Sequence, residues 1–255
     1  LSEDILGDIG DTTDEGVISL SSVKEHYPMI YAAKDDGSLA TLTYSRDEDV
    51  VAWTDNILGG STAVAVKSVA TIPSTGQDVT WLIVSRTIDG VTRQYIEKFD
   101  KVFRNRDVED GIFVDSSITV IGDTPSATLT PGATTGSSIT FTAGSAVFAA
   151  TDVGRVIESS GSKALITSFT DTSNVVATIT TDFASTSAIA SGSWNLSINS
   201  VDGLDHLEGE VLQVVANGGE TPTVTVSSGS VTLDGQYNVV TLGLGYNADI
   251  QLLDI

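Results

Sequence analysis

Cysteine is missing from this 255-residue chain. Its absence excludes disulfides, thiolate zinc centres and thiol nucleophiles. Histidine is nearly missing too, so His26 and His206 are the whole supply of imidazole for metal binding or acid–base work. No apolar run approaches the roughly 20 residues that a helix needs to span a bilayer, and no membrane anchor of that kind is expected. Basic residues are few: 12 Lys and Arg stand against 34 Asp and Glu, a formal net charge of −22. The scarcity is uneven. Residues 1–120 hold 10 basic and 21 acidic side chains, residues 121–200 hold 2 and 5, and residues 201–255 hold none and 8. Tight binding to nucleic-acid phosphates needs clustered Lys and Arg, so a DNA-binding domain is excluded. Such acidity suits a wall past which DNA slides without sticking. It equally suits a β-rich surface kept soluble by charge, or a saline habitat.

What the chain does have is strand chemistry. Val, Ile, Thr, Ser and Gly are abundant, and β-branched residues fit a pleated, half-buried surface. No segment of 11 or more residues carries a 3.6-residue apolar period. The short helical candidates are residues 21–26 and 203–208. The fold class expected is all-β.

Residues 30–54 are the most informative stretch. They read as three strands, with Asp36-Gly37 forming the first turn and residues 46–49 the second. Asp-Gly between alternating apolar runs is a strong hairpin signal, because Gly takes positive φ freely. The pattern returns at residues 79–85 and 92–99, on either side of Asp89-Gly90. At an offset of 53, Ile30 meets Ile83, Tyr31 meets Val84 and Leu42 meets Tyr95. A period near that length with several strands per unit is what propeller blades show. Two unrelated hairpins with a common turn would look the same.

Four regions follow from composition. Residues 1–26 form an acidic lead or linker, with Glu3, Asp4, Asp8, Asp11, Asp14 and Glu15 in a solvated charge run that lacks the EF-hand pattern. Residues 27–122 form a propeller-like strand block. Residues 123–199 form an inserted Ser/Thr/Gly-rich β module, in which residues 163–170 and 174–180 pair across Asp171-Thr172-Ser173. Residues 200–255 form a C-terminal β region of sandwich or barrel type, with turns at Asn217-Gly218-Gly219 and Asp234-Gly235. The chain opens Leu1-Ser2-Glu3-Asp4, acidic and without Met, and is expected to be a piece of a longer chain or a processed product.

Three stretches of wording resemble a phage tail family, the hexameric tail hub or nozzle of short-tailed phages, also called stabilisation proteins or tail tubular proteins B. They are residues 30–54 (G-x-L-x-x-L-T-Y-x-R-x-x-x-V-x-x-W-T), residues 79–98 (W-L-I-V-x-R-T-I-D-G-x-x-x-x-Y-I-E-K) and residues 201–215 (V-D-G-L-D-H-L-E-G). Residues 231–246 are similar to the family's closing strands, and residues 139–198 to a small β module that interrupts such proteins. The resemblance implies a propeller-like body arranged six-fold around a DNA channel, beneath portal and adaptor. It implies a virion structural protein that seals the capsid and conducts DNA at ejection, assembled in the host cytoplasm. Homo-oligomer formation and contacts with other tail proteins are implied as well. The family's long N-terminal region is not matched here.

No enzyme is expected, and no catalytic, cofactor-binding or metal-ligating residue is assigned. His206, in Leu-Asp-His-Leu-Glu, has no second His in reach and reads as a turn residue. His26-Tyr27-Pro28 reads as a strand start. Asp36, Asp89 and Asp234 each precede Gly and are explained by turns. No carboxylate pair stands out for glycoside hydrolysis, and no serine-nucleophile elbow appears. A ring of Asp and Glu facing the channel is expected, drawn from residues 201–255 or from the turns of residues 27–110. The alternative is an extracellular carbohydrate- or receptor-binding module, with Phe141, Phe148, Phe169, Phe183 and Trp194 as its exposed rings. A tail depolymerase is a third and weaker reading.

Overall fold

The computed structural model describes residues 16–24, 28–45, 47, 49–60, 64–100, 107–108 and 111–248. His26, Arg104, Arg106 and the acidic run of residues 3–15 lie outside them. Within them the protein is all-β, and its helical content is short 3₁₀ turns.

The first sheet is an antiparallel meander of β1 (Val17–Val23), β2 (Met29–Lys34), β3 (Leu39–Ser45) and β4 (Val50–Asn56), in that order. β1 corrects two expectations, since residues 17–23 are neither linker nor helix. Ser21 and Val23 pair with Tyr31 and Met29 as ladder residues. Leu20 and the half-buried Ser19 and Ser21 alternate across that strand, a period-2 pattern diluted by serine and so hard to see in the letters. The second sheet is a meander of β5 (Ala65–Ile72), β6 (Val79–Ile88) and β7 (Val91–Lys98). One core joins the two, built from Tyr31, Ala33 and Leu39 of the first and Val66, Val69, Leu82 and Val84 of the second. Ser19 Oγ lies 3.2 Å from both the amide and the carbonyl of Val69, tying β1 to β5.

The register refines the internal repeat. Ile30 pairs with Leu42, and Ile83 pairs with Ile96. Leu42 therefore corresponds to Ile96, while Tyr95 opposes Val84 on the other face. The cause is the turn. The second hairpin closes on Asp89-Gly90 alone, with Ile88 opposite Val91, while the first needs Lys34 to Ser38 between its last pair, Ala33 and Leu39. Five intervening residues against two is an odd difference, which shifts the pairing out of phase with the 53-residue offset and reverses the faces.

β8 (Asp115–Ile121) does not pair with these meanders. It joins β19 (Val239–Leu244), β16 (Val211–Ala216) and β17 (Gly219–Thr225) in a four-stranded sheet of order β17-β16-β19-β8. Residues 115–121 thus belong with the C-terminal region and not with the strand block before them. Sequence proximity misleads here because residues 123–197 are looped out between β8 and its partners. A two-stranded sheet of β15 (Ile198–Asp202) and β18 (Ser230–Tyr237) covers the same core, which holds Leu204, Leu207, Leu212, Val214, Val240 and Leu242. Asp234-Gly235 is not a turn but lies inside β18.

The inserted module is one six-stranded sheet: β14 (Asn195–Leu196), β11 (Val156–Ser159), β12 (Ser162–Asp171), β13 (Asn174–Thr181), β10 (Ile139–Ala143) and β9 (Leu129–Pro131). β12 and β13 pair across Thr172-Ser173. Its core holds four aromatic rings among aliphatic side chains. Phe141, Phe148, Phe183 and Trp194 are buried, and Phe169 packs against them. Trp194 Nε1–H donates to the Ala127 carbonyl at 2.7 Å, so its polar edge is satisfied inside. These rings cannot serve as an exposed sugar-stacking platform.

Candidate functional site

The two expected sources of carboxylates meet in one place. An open cleft of about 300 Å³ is lined by Asp89 and Arg93 from the β6–β7 hairpin and by Asp205, Glu208, Ser228 and Gly229 from the C-terminal region. Its construction starts with sequence. Gly203 and Gly209 bracket a single 3₁₀ turn, Asp205–Leu207, which buries Leu204 and Leu207 and turns Asp205 outward. Glu208 follows, and its two carboxylate oxygens accept from the amides of Ser228 (2.9 Å) and Gly229 (2.7 Å). Ser228 (φ 55°) and Gly229 (φ 67°) form the tight turn between residues 227 and 230. Glu208 is thus committed to bracing a neighbouring turn. A Cβ on Gly229 would stand 2.6 Å from Asp205 Oδ1, so a side chain there would have to displace Asp205 as well as hold a positive φ.

Asp89 and Asp205 remain exposed, and Arg93, also exposed, lines the same cleft. Three of its side chains are carboxylates, so the cleft is an acidic seam. Among the described residues no group of three or more His, Asp or Glu is arranged to hold a metal ion. His206 is half-buried in the last turn of the 3₁₀ segment. Asp36 is a turn residue as expected, its Oδ1 accepting from the amide (2.8 Å) and hydroxyl (2.7 Å) of Ser38. Of the acidic residues in 201–248, Asp202, Asp205, Glu220 and Asp234 are exposed and Glu210 is buried.

Two polar centres were not foreseen. The first is Arg86, buried at 1% exposure on the inward face of β6. Its Nε and Nη2 donate to the two carboxylate oxygens of Glu97 at 2.7 and 3.0 Å, and its Nη1 donates to the Gly59 carbonyl. Asp115 lies beside it and accepts from the Gly59 amide at 2.6 Å. Burial pushes the Asp115 carboxyl above the usual carboxylate range and Glu97 adds to this, against the Gly59 amide and the Arg86 guanidinium. The cluster ties β6, β7, the 57–60 loop and β8 together. Its signal was present, because strict alternation puts Arg86 on the same face as Leu82, Val84 and Ile88.

The second is Arg155, at the base of the inserted module. Its Nη1 donates to Asp152 at 2.9 Å, its Nε to the Ser197 carbonyl at 2.7 Å, and its Nη2 to Asp123 and the Leu196 carbonyl. Asp123 and Leu196 are where the chain leaves and re-enters the C-terminal body, and they bridge each other. Asn238 adds a bond to Glu158, and Ser197 Oγ one to Gln236 at 3.0 Å. The module is clamped at its root. No helix among the described residues is long and apolar enough to cross a membrane. Compared with known proteins, the chain matches no family model and no curated protein.

Proposed function

We propose that this protein is an architectural subunit of a phage tail, one copy in a ring around the DNA channel that closes the filled capsid and conducts DNA at ejection. The observation that carries the reading is where the tail-like wording falls. The stretch 30–54 is the β2–β3–β4 meander, 79–98 is the β6–β7 hairpin, and 201–215 is a strand, a bracing turn and a strand. The described residues of these stretches lie in turns and ladders or in the core, so the work of the motifs is shape. The exposed carboxylates of the Asp89–Asp205 seam, which outnumber its one cation Arg93, and the base-free region after residue 200 supply a surface that repels phosphates on balance. In the ring they line the lumen, and the passing strand finds no cluster of cations to grip.

Electron microscopy of the purified chain, with mass photometry for stoichiometry, tests the reading. A closed ring with an open centre is expected, together with no retention of duplex DNA at low salt. A chain that stays single at all concentrations, or that binds DNA through its surface, would refute it. The glycan-binding alternative has lost its ring platform to the module core and is not carried further.

A further inference from the structure

The outer faces of the two meanders carry large apolar side chains exposed to solvent, although Ala32 and Ala40 on the first of them are buried. Register identifies them. In the first meander Ile30 opposes Leu42, and Leu42 opposes Trp53. Leu20 and Val51 share that face and are 63% and 65% exposed. In the second, Ile83 opposes Ile96, and Trp81 opposes Lys98. Ile96 is 75% exposed. Exposed apolar residues grouped on one face mark contact surfaces. Ile30 and Ile83 are equivalent in the internal repeat, as are Leu42 and Ile96. The molecule packs one face of each meander against the other and leaves large apolar residues exposed on the two equivalent faces.

Charge indicates what can cover them. Residues 64–100 contain four basic and four acidic residues and are neutral, in a chain of net charge −22. A second copy brings the same negative charge, and most of the surface would meet it with like charge. The second meander is where that repulsion is least. Lys98 lies 6.0 Å above the Trp81 ring and presents a cation beside the apolar patch. The first meander presents the opposite sign in the same relation, since Asp55 is exposed two residues along β4 from Trp53.

We propose that the outer face of the second meander in one copy docks on the outer face of the first meander in the next, with Lys98 paired to Asp55. The proposal rests on the ring reading and names its contact. Two different faces meet, so the contact is heterologous: each added copy leaves one face free, and the series ends only by closing. Neither face contributes to the Asp89–Asp205 seam, which stays free for the lumen.

The test is the mass of the 255-residue chain by light scattering and mass photometry across a concentration series, with circular dichroism melts as the folding control. Ile96→Glu and Lys98→Glu should each weaken assembly at least tenfold. Adding Asp55→Lys to Lys98→Glu should restore it. Val211→Glu, at an exposed position on the C-terminal sheet, should leave it unchanged. Should Ile96→Glu disturb folding, the Lys98 and Asp55 reversal alone decides. Rings that form equally well with Ile96→Glu overturn this contact and leave the ring reading standing. Weakening without rescue by Asp55→Lys overturns the pairing of these two faces. A wild-type chain that remains single overturns both, and assigns these faces to a different protein.

Discussion

Arg86 shows how one side chain can decide a junction. A guanidinium at 1% exposure is tolerated only because Glu97 and the Gly59 carbonyl satisfy its donors. Removing one partner of such a pair strands the other charge, at a cost of about 3–5 kcal/mol. Arg86→Met should therefore lower the urea midpoint strongly, and Arg86→Met combined with Glu97→Gln should recover part of the loss. Additive losses would show that the two side chains act independently. Asp115 has the opposite sign. Its folded pKa is raised, so its stabilising contribution is complete below the unfolded aspartate value of about 3.9 and is lost as pH rises through the folded value. Asp115→Asn keeps an acceptor for the Gly59 amide and removes the buried charge. The variant should melt at or above the wild-type temperature at pH 7, with the difference vanishing near pH 4. A melt lower by several degrees at pH 7 would show that Asp115 works as a partner of Arg86 and not as a desolvated charge.

At the level of elements, hairpins were legible where the turn chemistry was strong. Asp89 (φ 48°) with Gly90 (φ 70°), and Asn217 (φ 48°) with Gly218 (φ 77°), take the paired positive-φ geometry their letters announce. Ser160-Gly161 and Ser228-Gly229 take the same geometry and were not foreseen, because serine rarely sits at positive φ. Asp234-Gly235 announced a turn that does not exist. A Cβ on Gly235 would lie 3.1 Å from the Tyr237 ring, whose hydroxyl donates to Asp234 at 2.7 Å, so glycine serves there to admit a ring. Pairing between distant strands was illegible for a different reason. Nothing near residues 115–121 says that the partner is 239–244, since the insertion separates them in sequence and not in space. The candidate seam was half legible: its carboxylates were foreseen as exposed turn residues, but the meeting of Asp89 with Asp205 depends on long-range packing. Two glycines separate backbone strain from crowding. Gly90→Ala, with open space around its Cβ, should lose about 1–2 kcal/mol from conformation alone. Gly229→Ala has the same φ sign and meets Asp205 as well, so its loss in chemical denaturation should be larger. Equal losses would mean that Asp205 simply swings aside.

For the whole molecule the governing quantity is unbalanced charge. With 34 acidic and 12 basic residues, one-to-one pairing leaves at least 22 carboxylates without a basic partner. Several of the bases are already spent inside, Arg86 in its buried pair and Arg155 on Asp123 and Asp152 at the module's root. The remaining carboxylates repel one another across the surface, which opposes the compact state and opposes assembly of copies. Salt acts on these long-range terms first, because the screening length falls from roughly 30 Å at 0.01 M to about 3 Å at 1 M. Buried pairs such as Arg86–Glu97 are screened far less. Both the melting temperature and the apparent association constant should therefore rise between 20 mM and 500 mM sodium chloride, measured by calorimetry and light scattering at pH 7. The same increase should appear with potassium chloride, since the effect is screening and not a bound ion. A melting temperature that falls with salt would mean that surface ion pairs outweigh net repulsion, and the acidic surface would then be a source of cohesion and not a wall that phosphates avoid.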